Sequence, residues 1–198
     1  MVKIVSLITI FVSIVSYIFF DRDIALYFNS HKDFFEIFNI ITKFGDSKYY
    51  ILISLLIFLV TYILEKRGIN RFFKLKRASL LIFLTIIFSG LIVNILKVIF
   101  ARFRPKAYIL DGSYGFNWFE FGYIVNSFPS GHSATAFSIF VALSFLYKKL
   151  APLFIFIALL IAFSRVVIVA HYLSDILIGS LIGVLSSIYL YKKMYKER

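Results

Sequence analysis

The sequence predicts an all-α fold: an integral membrane bundle of six transmembrane helices, with an amphipathic interfacial helix after the first span, in a single domain over residues 1–198. Three observations predict it. Apolar residues make up 61% of the chain and charged residues only 16%, where a globular chain carries about 25% charged residues. A domain of this size has too much surface to hide that apolar excess in a core, so lipid must solvate part of it. The apolar residues also fall in stretches of spanning length, and the 22 Lys and Arg are segregated between alternate connections. Intrinsic disorder is excluded. With no Cys, so are disulfides, thiolate metal sites and a Cys nucleophile.

The first apolar stretch covers residues 4–20, and Asp21-Arg22-Asp23 is expected to end it. Lys3 before it suggests a signal peptide, but the run is long for one and no small-residue cleavage site follows, so a retained anchor is expected. The second stretch, 49–64, is short and must borrow flanking residues. The third covers 78–100 and the fourth 131–147. Residues 151–191 cannot form one span: at about 1.5 Å per residue they would reach roughly 60 Å, twice the hydrocarbon thickness. The chain must turn back, with Arg165 and His171 as the polar residues available to mark the turn. Lys3, six basic residues between 65 and 77, Lys148, Lys149, and Lys192, Lys193, Lys196 and Arg198 in the tail put thirteen positive charges on one side. The opposite connections, 21–48 and 101–130, carry seven. Both termini are therefore expected in the cytoplasm. The net charge of +12 is then a topology signal with some attraction to anionic lipid, and no nucleic-acid-binding motif accompanies it.

Two connections are not featureless. Phe34, Ile37, Phe38, Ile41 and Phe44 recur at helical spacing, opposite Lys32, Glu36, Asn39 and Lys43. Ser30 with Asp33 resembles a capping box, and Gly45 is placed as a C-cap. This reads as an interfacial helix, with a lid-like loop as the alternative. The connection 105–129 is rich in aromatic residues, as membrane-interface belts are; it could equally hold a lipid.

Three clusters carry the chemistry. Lys97 and Arg104 lie seven residues apart, two helical turns, so they should share a face before Pro105 ends the helix. Either alone could be a snorkelling cation; together they make an anion site. Ser130 is placed to cap the fourth span, whose free N–H groups suit a phosphate. Gly131 allows close approach, and His132 sits at the mouth. In the third cluster, Ser164-Arg165 precedes His171, and Asp175 follows at i+4. A carboxylate there can hold one imidazole nitrogen and leave the other free to attack; otherwise it has no reason to enter an apolar span. All three clusters fall on the outer side by the charge count, which did not use them. Three cations, a helix N-terminus and two His, one with a carboxylate partner, suit phosphoryl transfer through a phosphohistidine: one His attacks, the other protonates the leaving oxygen, and the cations balance the charge. No carboxylate cluster is available for a divalent metal.

At this point the sequence resembles the type 2 phosphatidic acid phosphatases, membrane lipid phosphatases related to the vanadium-dependent haloperoxidases. The pattern K-x6-R-P is met by Lys97 and Arg104-Pro105, P-S-G-H by residues 129–132, and S-R-x5-H-x3-D by Ser164-Arg165, His171 and Asp175. The resemblance implies that His171 is the nucleophile, Asp175 its orienter and His132 the general acid. It implies that Lys97, Arg104 and Arg165 hold the phosphate together with Ser130 and the Gly131 amide. The expected activity is hydrolysis of a phosphomonoester or diphosphate on an outer-leaflet lipid, with no cofactor and no metal. Lipid A, undecaprenyl diphosphate, phosphatidylglycerophosphate and phosphatidic acid are the candidates, with a weak lean to the first two. The partners expected are the lipid phosphate substrate and the surrounding membrane lipids, with no nucleic acid and no obligatory protein partner. The expected location is the bacterial cytoplasmic membrane, active site outward. A lipid phosphotransferase would use the same residues. An anion transporter would need polar residues through the span centres, and these spans are nearly all apolar there; a non-catalytic lipid-binding scaffold would not need both His.

Overall fold

The computed structural model describes residues 2–195 and is helical throughout its ordered elements; Lys196 and Arg198 of the basic tail lie outside the described residues. Helix α1 (Val2–Val15) passes through a wider-wound turn, Ser16–Phe20, directly into α2 (Asp21–Ser30). The expected stop at Asp21-Arg22-Asp23 therefore does not occur. Asp21 is 1% exposed. It accepts hydrogen bonds from the Ser16 hydroxyl (2.7 Å) and the Ser174 amide (3.0 Å) and pairs with Arg102, so its charge is satisfied inside the protein instead of ending the helix in water.

A short turn leads to α3 (Phe35–Ile41), continued by a tight helical turn, Thr42–Gly45. Ser30 does not cap this helix. It is the last residue of α2, and its hydroxyl donates back to the Leu26 and Tyr27 carbonyls. Gly45 is the last residue of that turn and not its C-cap, a place taken by Asp46; glycine is needed there for close packing, since a Cβ would stand 2.9 Å from His132 Cδ2 and 2.9 Å from Ile161 Cγ2. Of the five residues on the expected apolar face, Phe38 and Ile41 pack on the bundle and Phe34, Ile37 and Phe44 stand exposed.

Asp46 then caps α4 (Ser47–Lys66) by accepting from the Lys48 amide at 3.0 Å. Next come α5 (Phe73–Phe100), the short α6 (Pro105–Asp111), α7 (Gly131–Leu146), α8 (Ala151–Val167) and α9 (Leu173–Tyr195). The expected reversal within 151–191 falls at residues 168–172, with Arg165 in the last turn of α8 and His171 in the connection.

Five helical runs are long and apolar enough to cross a membrane: Val2–Ser30, Phe35–Lys66, Asn70–Phe100, Lys148–Val167 and Leu173–Tyr195. The fourth stretch gives only α7, whose 16 residues rise about 24 Å, short of a hydrocarbon core of about 30 Å. Length and composition thus support five candidate spans where the sequence suggested six. α7 is instead the central helix, packed against α5, α8 and α9, and its buried face is made largely of Ala, Ser and Thr. Against it, α9 presents Gly179 and Gly183. A Cβ at Gly179 would lie 2.4 Å from the Ser130 carbonyl oxygen, and one at Gly183 2.5 Å from that of Ala134. Small residues four apart let two helices approach backbone to backbone. Buried hydroxyls tie the contact: Ser138 donates to Ser89 (2.7 Å) and Ser187 to the Ser138 carbonyl (2.7 Å).

Candidate active site

The segments carrying the three motifs meet at one end of the bundle. α5 stops at Phe100 because Ala101 turns into the left-handed region at φ 40°. Arg104 is thus not on α5, and Pro105 opens α6 instead of closing α5. The shared helical face expected for Lys97 and Arg104 is absent, yet the two cations still converge. Lys97 Nζ donates to the Asn126 carbonyl at 2.7 Å, and Arg104 Nη2 donates to the same oxygen at 3.0 Å. Arg104 is held further by the Tyr123 carbonyl (2.8 Å) and the Ala170 carbonyl (3.1 Å). Its burial lowers its pKa, partly offset by Tyr123 and Asp175; an arginine so placed remains charged.

Arg165 joins them from the end of α8. Its Nη1 donates to Thr42 Oγ1 at 2.7 Å, and its buried Nε has no hydrogen-bond partner. Its carbonyl accepts the amides of Ala170 (2.9 Å) and His171 (3.1 Å), which fixes the turn that presents His171. Ser130 caps α7 as expected: its hydroxyl accepts from the Ser133 amide (3.4 Å) and hydroxyl (3.0 Å), and its own amide donates to the Asp175 carbonyl (3.1 Å). The α7 N-terminus and the α9 N-terminus are therefore bonded to each other. His132, half-buried on Gly45, lines a cavity of about 180 Å³ shared with Asn94, Lys97 and Gly131.

His171 is 3% exposed; its Nδ1 lies 3.5 Å from Asp175 Oδ2 and makes no hydrogen bond. The i, i+4 relation holds, although His171 precedes α9 instead of lying on it. Burial depresses the imidazole pKa well below its ordinary value; the Asp175 contact opposes this, and Arg104, Lys97 and Arg165 add to it. A lowered pKa favours the neutral ring. The same three cations act electrostatically on His132.

Sequence reasoning missed the groups behind Asp175. Its Oδ2 accepts from the Ser127 hydroxyl (2.6 Å) and the Tyr172 amide (3.0 Å), and its Oδ1 accepts from Arg102 Nη1 at 2.5 Å. Arg102, fully buried, also donates to Ser174 Oγ (2.6 Å) and to Asp21 Oδ2 (2.8 Å). Burial alone would lower its pKa; Asp175 and Asp21 outweigh that and raise it. The only sequence signal was a second Arg two residues before Arg104. Among the described residues no group of three or more His, Cys, Asp or Glu side chains converges as a metal site would require.

The comparisons with known proteins agree with this geometry. Residues 78–198 match the PAP2 superfamily. A lipid A 1-phosphatase of Rhizobium etli is 35% identical over 153 residues, 75% of this chain and 66% of that protein. One of Rhizobium johnstonii is 32% identical over 154 residues, 73% of this chain and 61% of the relative. The bacitracin transport permease protein BcrC of Bacillus licheniformis is 37% identical over 68 residues, 34% of each chain. The chain thus spans somewhat under two thirds of the length of the two Rhizobium relatives. No solved structure matches it significantly. With more than half of its length matched and five helices apolar enough to cross a bilayer, the chain belongs to the PAP2 superfamily as an integral membrane protein.

Proposed function

We propose that the chain is a lipid phosphatase that hydrolyses a phosphomonoester or diphosphate on an outer-leaflet lipid through a phosphohistidine, without a metal. One observation carries the reading: Lys97 and Arg104 meet on the Asn126 carbonyl, Arg104 also bonds the Ala170 carbonyl, and the adjacent His171 is buried with Nδ1 3.5 Å from Asp175 Oδ2. With the Nδ1 proton directed at the carboxylate, the Nε2 lone pair is free. Nε2 attacks phosphorus as the ester P–O bond breaks. The bonding pair leaves on the lipid oxygen, which takes a proton from His132. The three cations offset charge on the equatorial oxygens, and Arg165 Nε, which lacks a protein acceptor, is available to them. Water then attacks the phosphohistidine and gives its proton to His132, and the N–P pair returns to Nε2. Ser130 and the Gly131 amide hold the phosphate at the α7 N-terminus.

The cytoplasmic membrane, cytoplasmic termini and an outward-facing site are part of the same proposal, supported by the distribution of Lys and Arg. α7 would be the sixth crossing, shortened because its first turn belongs to the site, and α3 would lie in the outer interface. The Rhizobium relatives are named lipid A 1-phosphatases, which favours a lipid A phosphate as substrate.

The test is phosphate release by the purified chain from lipid A, undecaprenyl diphosphate, phosphatidylglycerophosphate and phosphatidic acid, with and without EDTA. Release from lipid A that survives EDTA and disappears in His171→Ala is expected. Turnover near wild type in a folded His171→Ala variant would remove the nucleophile, and loss in EDTA restored by Mg²⁺ would remove the metal-free route.

A further inference from the structure

Two of the most heavily buried charges among the described residues, Arg102 and Asp21, belong to no motif used so far, and they meet a third, Asp175, which does. Arg102 is fully buried, Asp21 is 1% exposed and Asp175 is fully buried. The Arg102 guanidinium bridges the two carboxylates, with Nη1 at 2.5 Å from Asp175 Oδ1 and Nη2 at 2.8 Å from Asp21 Oδ2. Ser174 closes the figure, accepting from Arg102 Nη1 and donating amide and hydroxyl to Asp21. The rings of Tyr17 and Tyr172 lie 4.8 Å and 4.4 Å from the guanidinium carbon. Tyr17 and Asp21 come from the N-terminal helical run, outside the matched residues 78–198.

We propose that Asp21 and Arg102 are positioning residues for the reaction at His171: Arg102 fixes the Asp175 carboxylate with Oδ2 toward the imidazole, and Asp21 draws on the same guanidinium so that Asp175 is not fully neutralised. The argument is one of charge balance. Two carboxylates share one guanidinium, which leaves one negative charge in the buried cluster. When Nε2 bonds to phosphorus the imidazole becomes cationic, with its proton still on Nδ1. That charge forms 3.5 Å from Asp175 Oδ2 at the start of the reaction. The surplus negative charge is compensated only as the phosphohistidine forms, so the cluster stabilises the step and not the resting ring. An arginine with Asp175 as its sole partner would cancel the carboxylate before the reaction began. Ser127 and the Tyr172 amide, on Oδ2 at 2.6 Å and 3.0 Å, set the same orientation from the other side.

This inference rests on the phosphohistidine reading, so its test carries a control for that reading. Asp21→Asn, Asp21→Glu, Arg102→Lys and His171→Ala are purified as full-length chains in detergent. Two measurements are made: steady-state hydrolysis of lipid A, and the titration of His171 by ¹⁵N-histidine NMR, which needs no substrate. Asp21→Asn is expected to lower kcat by about a hundredfold, the loss that a small misplacement of a reacting group produces. KM is expected to stay nearly constant, because the phosphate-holding cations are untouched. Asp21→Glu should recover most of the loss. The charged groups acting on His171 are Asp175 on α9, Lys97 on α5, Arg104 before α6 and Arg165 on α8; only Asp175 is negative. Freeing Arg102 to neutralise it must therefore move the His171 midpoint to lower pH in Asp21→Asn. A variant that merely folds less well would give less active protein with the wild-type midpoint and KM.

An unchanged His171 midpoint in Asp21→Asn overturns the proposal whatever the substrate proves to be. Wild-type kcat in Asp21→Asn beside an inactive His171→Ala overturns it while sparing the phosphohistidine. Wild-type turnover in His171→Ala overturns the phosphohistidine reading, and with it the role given to the cluster in catalysis. If Asp21→Asn does not fold, Arg102→Lys decides: it keeps one positive charge but cannot reach both carboxylates in a planar fork, and undiminished kcat in that variant is equally fatal.

Discussion

His171 combines a charge-poor burial with cations on several sides, and that combination sets how its activity responds to acid. Burial and the neighbouring Arg104, Lys97 and Arg165 lower its pKa, while Asp175 resists. A group with a depressed pKa takes up its proton only at lower pH, so the attacking nitrogen stays free below the usual imidazole value of about 6.5. The acid limb of kcat/KM, which reports the free enzyme, is expected below that value. A limb at or above it would show that the buried ring is not the group that must be unprotonated. Lys97, Arg104, Ser130, His132, Arg165, His171 and Asp175 were legible as candidates because each sits at a fixed spacing within a short segment. Arg102 and Asp21 were not. Asp21-Arg22-Asp23 reads as a solvated helix end, and the Asp21–Arg102 pair joins residues 81 apart, a separation at which sequence gives no pairing information. Removing one partner of a buried ion pair costs about 3–5 kcal/mol, so both positions also bear on stability.

The closeness of α7 and α9 is what brings Ser130 to Asp175 and so aligns two of the three motif segments. It depends on Gly179 and Gly183, where any Cβ would overlap the α7 backbone. Gly183→Leu is expected to push the helices apart, at a cost of about 1–3 kcal/mol or more for overpacking. Thermal unfolding in detergent should show a lowered midpoint, whereas an unchanged midpoint would mean the contact is dispensable. Here the sequence was readable but was read only for hydropathy: the Gly-x-x-x-Gly spacing lay within the sixth stretch. The helix boundaries near 47–66 and 151 followed the apolar runs closely, because nothing competes with lipid solvation along them. The misplacements cluster at the site end. α5 stops at Ala101, Arg104 leaves the helix, and Asp21 stays within one; each deviation is made by a polar partner distant in sequence, which hydropathy does not record.

Across the whole bundle, basic residues collect at one end and the candidate active site at the other. Arg71, Lys74 and Arg77 border a cavity at the end bearing Leu146 and Tyr195, whereas Trp118, Phe119, Phe121 and Tyr123 stand exposed on the site side. The chain has no Cys, so single introduced cysteines report orientation without background. In whole cells, Phe119→Cys should react with a membrane-impermeant maleimide, and Lys74→Cys only after permeabilisation. The reverse pattern would place the site in the cytoplasm and exclude an outer-leaflet substrate. The six-span count was the weakest expectation at this level, since α7 is buried by its neighbours and need not match the bilayer thickness by itself.

The bridge from Asp21 to Asp175 also bears on how much of the chain makes up the smallest active unit. The shared family segment opens at residue 78, yet one of the two counter-ions of Arg102 is supplied by residue 21. A fragment trimmed to the shared segment would keep every motif residue and still leave a guanidinium half-compensated in a dry interior. If Asp21 positions Asp175 as proposed, replacing the first thirty residues by an unrelated hydrophobic helix should not yield a working enzyme.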